Sequence, residues 1–413
     1  MDDIFDKCNE APIGSAIQDP DERELAMKLI GGVSPVDNIG PHIESDGETF
    51  IQFSSNDYLG IAGHPQVRER AAEIVRQHGI AAPMGSRLMA GNTAYHVELE
   101  SHIADFKRCE AALTFTTGAG AMIGSLACLV DNRDLLILDE RVHASLRCGA
   151  KVTGAPLRFF RHNDMDHLDQ ILSDTREFPS RAVVVDGVYS MDGDVANFNE
   201  LAALKKTHGF RLIVDDAHGT GVFGENGRGA AAHFGVDDQV DLHLGTFSKA
   251  IGTIGGFVAG DLNVIRFIST SAPTFVFTKA MPLVTAVATK MALDLLEKAD
   301  DARLRLWANA RRLQASLTAA GFDIGKTQSP ITPIRFPGNS ALYVAQELRE
   351  NYGIWTAPVL YPAVEPGASL LRLVPTANHD EEHIQQLVEA LFEVRQTLGE
   401  IVSPTPSNID KSS

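Results

Sequence analysis

Four cysteines in 413 residues, with no CxxC pair among them, leave neither a disulfide framework nor a thiolate metal site to be read. Cys8, Cys109, Cys128 and Cys148 are therefore expected as reduced structural thiols of a cytoplasmic protein, and no metal is expected. No run of about 18 apolar residues occurs, so no membrane span is predicted. The opening MDDIFDKCNEAPIG is acidic and lacks the apolar run of a secretory signal. Positive charge is short as well: 36 Lys+Arg against 54 Asp+Glu leave a net −18. That balance argues against nonspecific binding of nucleic acid or of an anionic membrane. No internal repeat is found.

What is present is an ordinary globular composition, 44% hydrophobic and 22% charged, in a chain long enough for a large core. Short apolar runs predict strands at Ala112–Thr116, Leu135–Asp139, Leu157–Arg161, Ala182–Asp186, Leu212–Asp215, Leu242–Gly245 and Gly256–Ala259. They are rich in Val, Ile, Leu and Phe with little alternation, as in a sheet buried on both faces. Helical patterns between them give βαβ units and a mainly parallel sheet, hence an α/β fold. The expected organisation is an N-terminal arm over 1–45, a large domain over 46–285, a smaller α+β domain over 286–400 and a disordered Pro/Ser-rich tail over 401–413.

In open parallel sheets, ligands sit at the carboxyl ends of the strands. Those ends carry Thr117-Gly118-Ala119, His143, Ser190, Asp215 to His218 and Thr246 to Lys249. Lys249 lies among Gly245, Thr246 and Ser248, small or hydroxyl residues that let a phosphate approach. A lysine amine forms Schiff bases once burial or positive charge lowers its pKa. Asp215 is a strand-end carboxylate that must be paired, and it suits the ring nitrogen of pyridoxal phosphate. A metal site using Asp216 and His218, or a structural Asp–His pair, is the alternative there. Gly118 to Gly124 also reads as a GxGxxxG dinucleotide variant, with Asp139 ending the next strand. A NAD(P)-dependent oxidoreductase is thus the rival from another class. Arg372, inside an apolar strand, suits a substrate carboxylate or an internal ion pair.

Taken together, Ser-Asn-Asp-Tyr-Leu-Gly (55–60), Gly-Ser-Arg (85–87), Val-His-Ala-Ser (142–145), Gly-Val-Tyr-Ser-Met-Asp-Gly-Asp (187–194), Asp-Asp-Ala-His-Gly-Thr-Gly (215–221), Gly-Arg-Gly (227–229) and Gly-Thr-Phe-Ser-Lys (245–249) resemble the α-oxoamine synthases, a branch of the fold-type I pyridoxal phosphate enzymes. The resemblance runs from about Phe53 to about Leu398. It implies a seven-stranded sheet with helices on both faces, a smaller C-terminal domain and a homodimer with shared active sites.

It also implies roles. Lys249 would be the Schiff-base lysine and proton shuttle, Asp215 the partner of the ring nitrogen, and His143 the residue stacked on the ring. His218 and Ser190 would lie near the phenolic oxygen. Gly118, Ala119, Thr246 and Ser248 would hold the phosphate, with Thr278 supplied by the other subunit. Asn56, Arg87 and Arg372 would bind the substrate. The implied reaction joins a small amino acid (serine, glycine or alanine) to an acyl-CoA or acyl-carrier thioester, releasing CO2.

Within the family the motifs look most like bacterial serine palmitoyltransferases. Asp186 and Asp216 are features of 2-amino-3-ketobutyrate CoA ligase and 8-amino-7-oxononanoate synthase. Two segments depart from the pattern: Ala81-Ala82-Pro83-Met84 replaces a Gly-rich stretch, and Lys279 replaces a small residue. Such departures also fit a secondary-metabolite or signal synthase.

Overall fold

The structure, a computed structural model, describes residues 17, 19–31 and 40–399. Cys8, most of the predicted arm before residue 40 and the tail 401–413 lie outside the described residues. The described residues form two compact units, one comprising 57–190 and 194–303, the other the described residues up to 56, 191–193 and 304–399.

The first of these holds a seven-stranded sheet. Its order is Ala111–Phe115, Gly256–Gly260, Leu242–Thr246, Arg211–Asp215, Arg181–Asp186, Leu135–Asp139, Leu157–Phe160. Gly256–Gly260 runs antiparallel to both neighbours and the other pairings are parallel. All seven predicted strands are present. Every residue of Leu135–Asp139 and Leu242–Thr246 is buried, which is why those runs show no alternation. Helices Gly118–Leu129 and Ala144–Val152 share one core with this sheet, through Met122, Leu126 and Leu146 against Leu136, Leu138 and Val184. Each such buried side chain contributes roughly 1.5–3 kcal/mol. A Cβ on Gly149 would stand 3.1 Å from the Ile123 Cα, so the glycine lets the two helices cross closely.

Helix Leu283–Glu297 was expected in the smaller domain. It packs Leu283 and Val287 on Ile74 of helix Pro65–His78, and so belongs with the sheet-bearing unit. The joins fall at 56/57 and 303/304, where the sequence reading puts them after 45 and 285.

The other unit carries two three-stranded sheets. Thr332–Pro337, Ala368–Leu373 and Ala357–Val359 form one. His42–Ser45, Glu48–Gln52 and Ile354–Trp355 form the second, so the end of the expected arm is a strand. Its hairpin turns at Asp46 (φ 55°) and Gly47 (φ 80°), the Asp-Gly pair that a tight two-residue turn demands. Helices Ser340–Tyr352 and Glu381–Leu398 cover an apolar core that also takes in Ala26 and Leu29.

Candidate active site

The carboxyl ends of the parallel strands open on a cavity of about 210 Å³. Gly118, Ala119, His143, Ser190, Asp215, His218, Thr246, Ser248 and Lys249 all line it, together with Asp186. Residues spread over 132 positions of sequence (118 to 249) are thus brought to one place by sheet order.

One side of the cavity is the start of helix Gly118–Leu129. Thr117 caps it, its hydroxyl accepting from the Gly120 N–H at 2.9 Å. Neighbouring N–H groups of such a helix start are free for an anion. A Cβ on Gly118 would sit 2.9 Å from Thr246 Cβ and Oγ1, so only glycine lets the helix start approach Thr246. Thr246 Oγ1 donates to the Gly255 carbonyl at 2.9 Å and meets Ser248 Oγ at 2.8 Å. Hydroxyls and helix start form a neutral cradle suited to a phosphate.

Asp186 and Asp215 end neighbouring strands in direct register and are both buried. Burial pushes the Asp215 carboxyl up to about 6, against the pull of the Lys249 charge. Burial and then Asp215 hold Asp186 well above the carboxylate range, against the His143 N–H that donates to it at 3.2 Å. Two such carboxyls favour a cation beside them, as the protonated ring nitrogen of pyridoxal phosphate would be.

Asp216 does not join them. Its Oδ2 meets Lys107 Nζ at 3.1 Å and its Oδ1 accepts from the Ala230 N–H at 3.2 Å. A Cβ on Gly187, Gly219 or Gly229 would come within 2.5 Å of an Asp216 oxygen. The glycines of 187, 219 and 229 thus make room for a buried ion pair. The metal alternative for Asp216 and His218 is replaced by this pairing.

His143 caps helix Ala144–Val152, its Nδ1 2.7 Å from Ser145 Oγ. Packing around its ring, and then the positive charge of Lys249, keep the imidazole below its usual pKa, so it faces the cavity neutral. His218 Nδ1 lies 2.7 Å from the hydroxyl of Tyr58, a buried residue that the sequence reading gave no role. Its signal was its place in Ser-Asn-Asp-Tyr-Leu-Gly.

Four predicted residues stand elsewhere. Arg87, expected at the substrate, has all five N–H groups accepted internally. Nε and Nη2 donate to Asn92 Oδ1, Nη1 and Nη2 to the two oxygens of Glu100, and Nη1 to Thr114 Oγ1. It ties segments together and has no donor left for a ligand. Thr278 lies outside this cavity, next to Phe277, which is 86% exposed. Asn56 and Arg372 meet in the other unit, Arg372 Nη2 donating to Asn56 Oδ1 at 3.1 Å. The two departures from the family pattern also meet: Lys279 Nζ donates to the Ala81 carbonyl, and Leu283 N to that of Ala82 at 2.7 Å.

Comparison with known proteins identifies the family. The family model described as aminotransferase class I and II matches residues 48–391. A cysteate-C-fatty acyltransferase of Capnocytophaga ochracea is 34% identical over 407 residues, 96% of either chain. An 8-amino-7-oxononanoate synthase of Thermoanaerobacter pseudethanolicus is 36% identical over 362 residues, 87% of this chain and 91% of that one. Among solved structures, Sphingomonas wittichii serine palmitoyltransferase superposes with a TM-score of 0.88 at 30% identity, covering 97% of this chain and all of its own.

Proposed function

The chain belongs to the class I and II aminotransferase family, within its α-oxoamine synthase branch, and on that premise we propose how its cavity works and on what. It is a pyridoxal-phosphate-dependent C-acyltransferase that condenses an amino acid with an acyl thioester and releases CO2. The GxGxxxG at 118–124 serves that cofactor's phosphate and not a dinucleotide. The carrying observation is the convergence of amine, carboxyls, imidazole and hydroxyl cradle on one cavity.

When bound, pyridoxal phosphate supplies an aldehyde for an amine and a ring that draws electrons from the substrate Cα. The protein's residues do the rest. Gly118, Ala119, Thr246 and Ser248 would hold the phosphate, and Asp215 would keep the ring nitrogen protonated. His143 would meet the ring as a neutral imidazole, and His218, oriented by Tyr58, would serve with Ser190 at the phenolic oxygen. Lys249 would hold the cofactor through its amine, and the same amine would take up and return the Cα proton. Asn56 and Arg372, joined to each other, are the pair suited to an amino-acid carboxylate. Thr278 completes the site of a second copy in a homodimer.

The amino acid is small and polar, serine first, as the serine palmitoyltransferase likeness supports. Cysteate is the second candidate, because the cysteate acyltransferase likeness extends over 96% of the chain. The test is a titration of the yellow holoenzyme with serine, glycine, alanine and cysteate, followed by acyl-CoA chains of increasing length. Spectral change with an amino acid, then free thiol and CO2 in equal amounts, supports the reading. A colourless protein that binds NAD overturns it. Lys249→Ala must lose both the visible band of the lysine-bound cofactor and turnover.

A further inference from the structure

His162, just past strand Leu157–Phe160, has no part in the roles above. Its Nδ1 lies 3.0 and 3.2 Å from the two carboxylate oxygens of Asp139, and its Nε2 lies 2.8 Å from Asp194 Oδ2. The Asp139 side chain is wholly buried, and those of His162 and Asp194 are 13% and 15% exposed. An ionised carboxylate only accepts hydrogen bonds. A neutral imidazole would turn a lone pair on one of the two aspartates. Both ring nitrogens therefore carry protons, and the residue is an imidazolium between two anions. Burial opposes that charge, but the hydrogen bonds and then the charges of Asp139 and Asp194 carry its pKa up to about 9. The Tyr189 ring closes the cluster in a T-shaped contact with His162, the centroids 4.4 Å apart.

Each aspartate holds one wall of the cavity. Asp139 Oδ1 accepts from Arg141 N at 2.8 Å, which shapes the turn that delivers His143. His162 N donates to Glu140 Oε1 at 3.0 Å in the same turn. Asp194 receives the Tyr189 N–H on its carbonyl at 3.0 Å, while Val188 bridges Val195. That pairing fixes the segment carrying Ser190. Asn163 (φ 53°) joins both sides, with its N–H on Asp139 at 2.9 Å and its amide on Asp194 at 2.8 Å.

We propose that His162 is a positioning residue: a protonated clamp between Asp139 and Asp194 that sets the spacing of the His143 and Ser190 walls. The chemistry it serves rests on the function proposed above, but the clamp itself does not.

The test uses the holoenzyme and His162→Gln, whose amide cannot donate at both ends. Small misplacements of reacting groups are costly, so kcat should fall about 10–100-fold while the amino-acid KM stays within about threefold. In a His143→Ala background the same change should have a clearly smaller effect, because one of the two walls the clamp acts through is already blunted. Equal effects in both backgrounds, or an unchanged kcat, overturn the proposal. The second readout is the ring nitrogen-15 spectrum of the wild type at pH 7.5, with the His162 signal assigned by its loss in His162→Gln or, if that variant does not fold, by its shift in Asp194→Asn. Two protonated nitrogens support the clamp and one overturns it. This readout needs no turnover, so a failed acyltransferase assay leaves the clamp judged on its own.

Discussion

Lys107 Nζ lies 3.1 Å from Oδ2 of Asp216, with both side chains sealed from solvent. The amine is satisfied threefold, since Thr220 Oγ1 and the Arg228 carbonyl accept its other protons. The pair sits one residue beyond Asp215, so it braces the strand end that carries the cavity's carboxyl.

Removing one partner of such a pair strands the other as a buried charge. Lys107→Met should cost about 3–5 kcal/mol in chemical denaturation. Lys107→Met combined with Asp216→Leu should cost less than the single change, because no charge is left alone. A double variant weaker than Lys107→Met would show that the pair matters for shape and not for charge.

The raised Asp215 carboxyl makes a prediction about pH. Its folded pKa of about 6 lies above the ordinary 3.8, so the folded chain binds this proton more tightly than the unfolded one. The stabilisation is complete below 3.8 and is lost as pH rises through about 6. At about 1.4 kcal/mol per pKa unit, the loss is about 3 kcal/mol. The cofactor-free protein should therefore melt lower at pH 7.5 than at pH 5, by a margin that shrinks in Asp215→Asn. The loaded protein should show the smaller margin too, because a ring cation pairs with the ionised carboxylate. Identical pH slopes in the wild type and Asp215→Asn would remove Asp215 as the cause.

Arg87 gives a prediction that separates architecture from substrate contact. Lysine has three donors and no planar fork, so it cannot serve Glu100, Asn92 and Thr114 together. Arg87→Lys should lower stability by about 1–3 kcal/mol in thermal denaturation. The amino-acid KM should stay within about threefold. A much larger rise in KM with unchanged stability would return Arg87 to the substrate.

The sheet was legible because its strands are buried on both faces and therefore read as unbroken apolar runs, such as Leu135–Leu138. The cavity was legible because parallel order puts strand ends side by side. The hairpin His42–Gln52 was not read, although Ser-Asp-Gly-Glu at 45–48 carried its turn signal. Its strands are short and half exposed, so they resemble a polar arm. Arg87, Lys107 and His162 were misread or passed over for one shared reason. Their partners lie 13, 109, and 23 or 32 positions away, and only the fold shows which charges are already spent.

Lys279 and Ala81 carry the last prediction. Each belongs to a segment that departs from the family pattern, and the lysine amine holds the alanine carbonyl. Ser86 also bridges Lys279, and Ala280 N donates to the Gly85 carbonyl at 2.9 Å, so 81–86 and 279–283 form one ribbon. Met84, Met89 and Phe277 expose apolar side chains on or beside it, each at least 80% accessible. Apolar exposure of that degree marks a surface that something covers. An acyl chain, or a second copy presenting Thr278, fits the proposed reaction. A small residue at 279 would release Ala81 and let 81–84 shift without touching the cavity. Lys279→Gly should therefore leave the visible band and the amino-acid KM within about twofold. It should change the ratio of kcat/KM between a short and a long acyl-CoA by at least about fivefold, near 1 kcal/mol in relative transition-state binding. An unchanged chain-length profile would assign the ribbon to subunit contact alone, which sedimentation of Lys279→Gly as monomer or dimer would then decide.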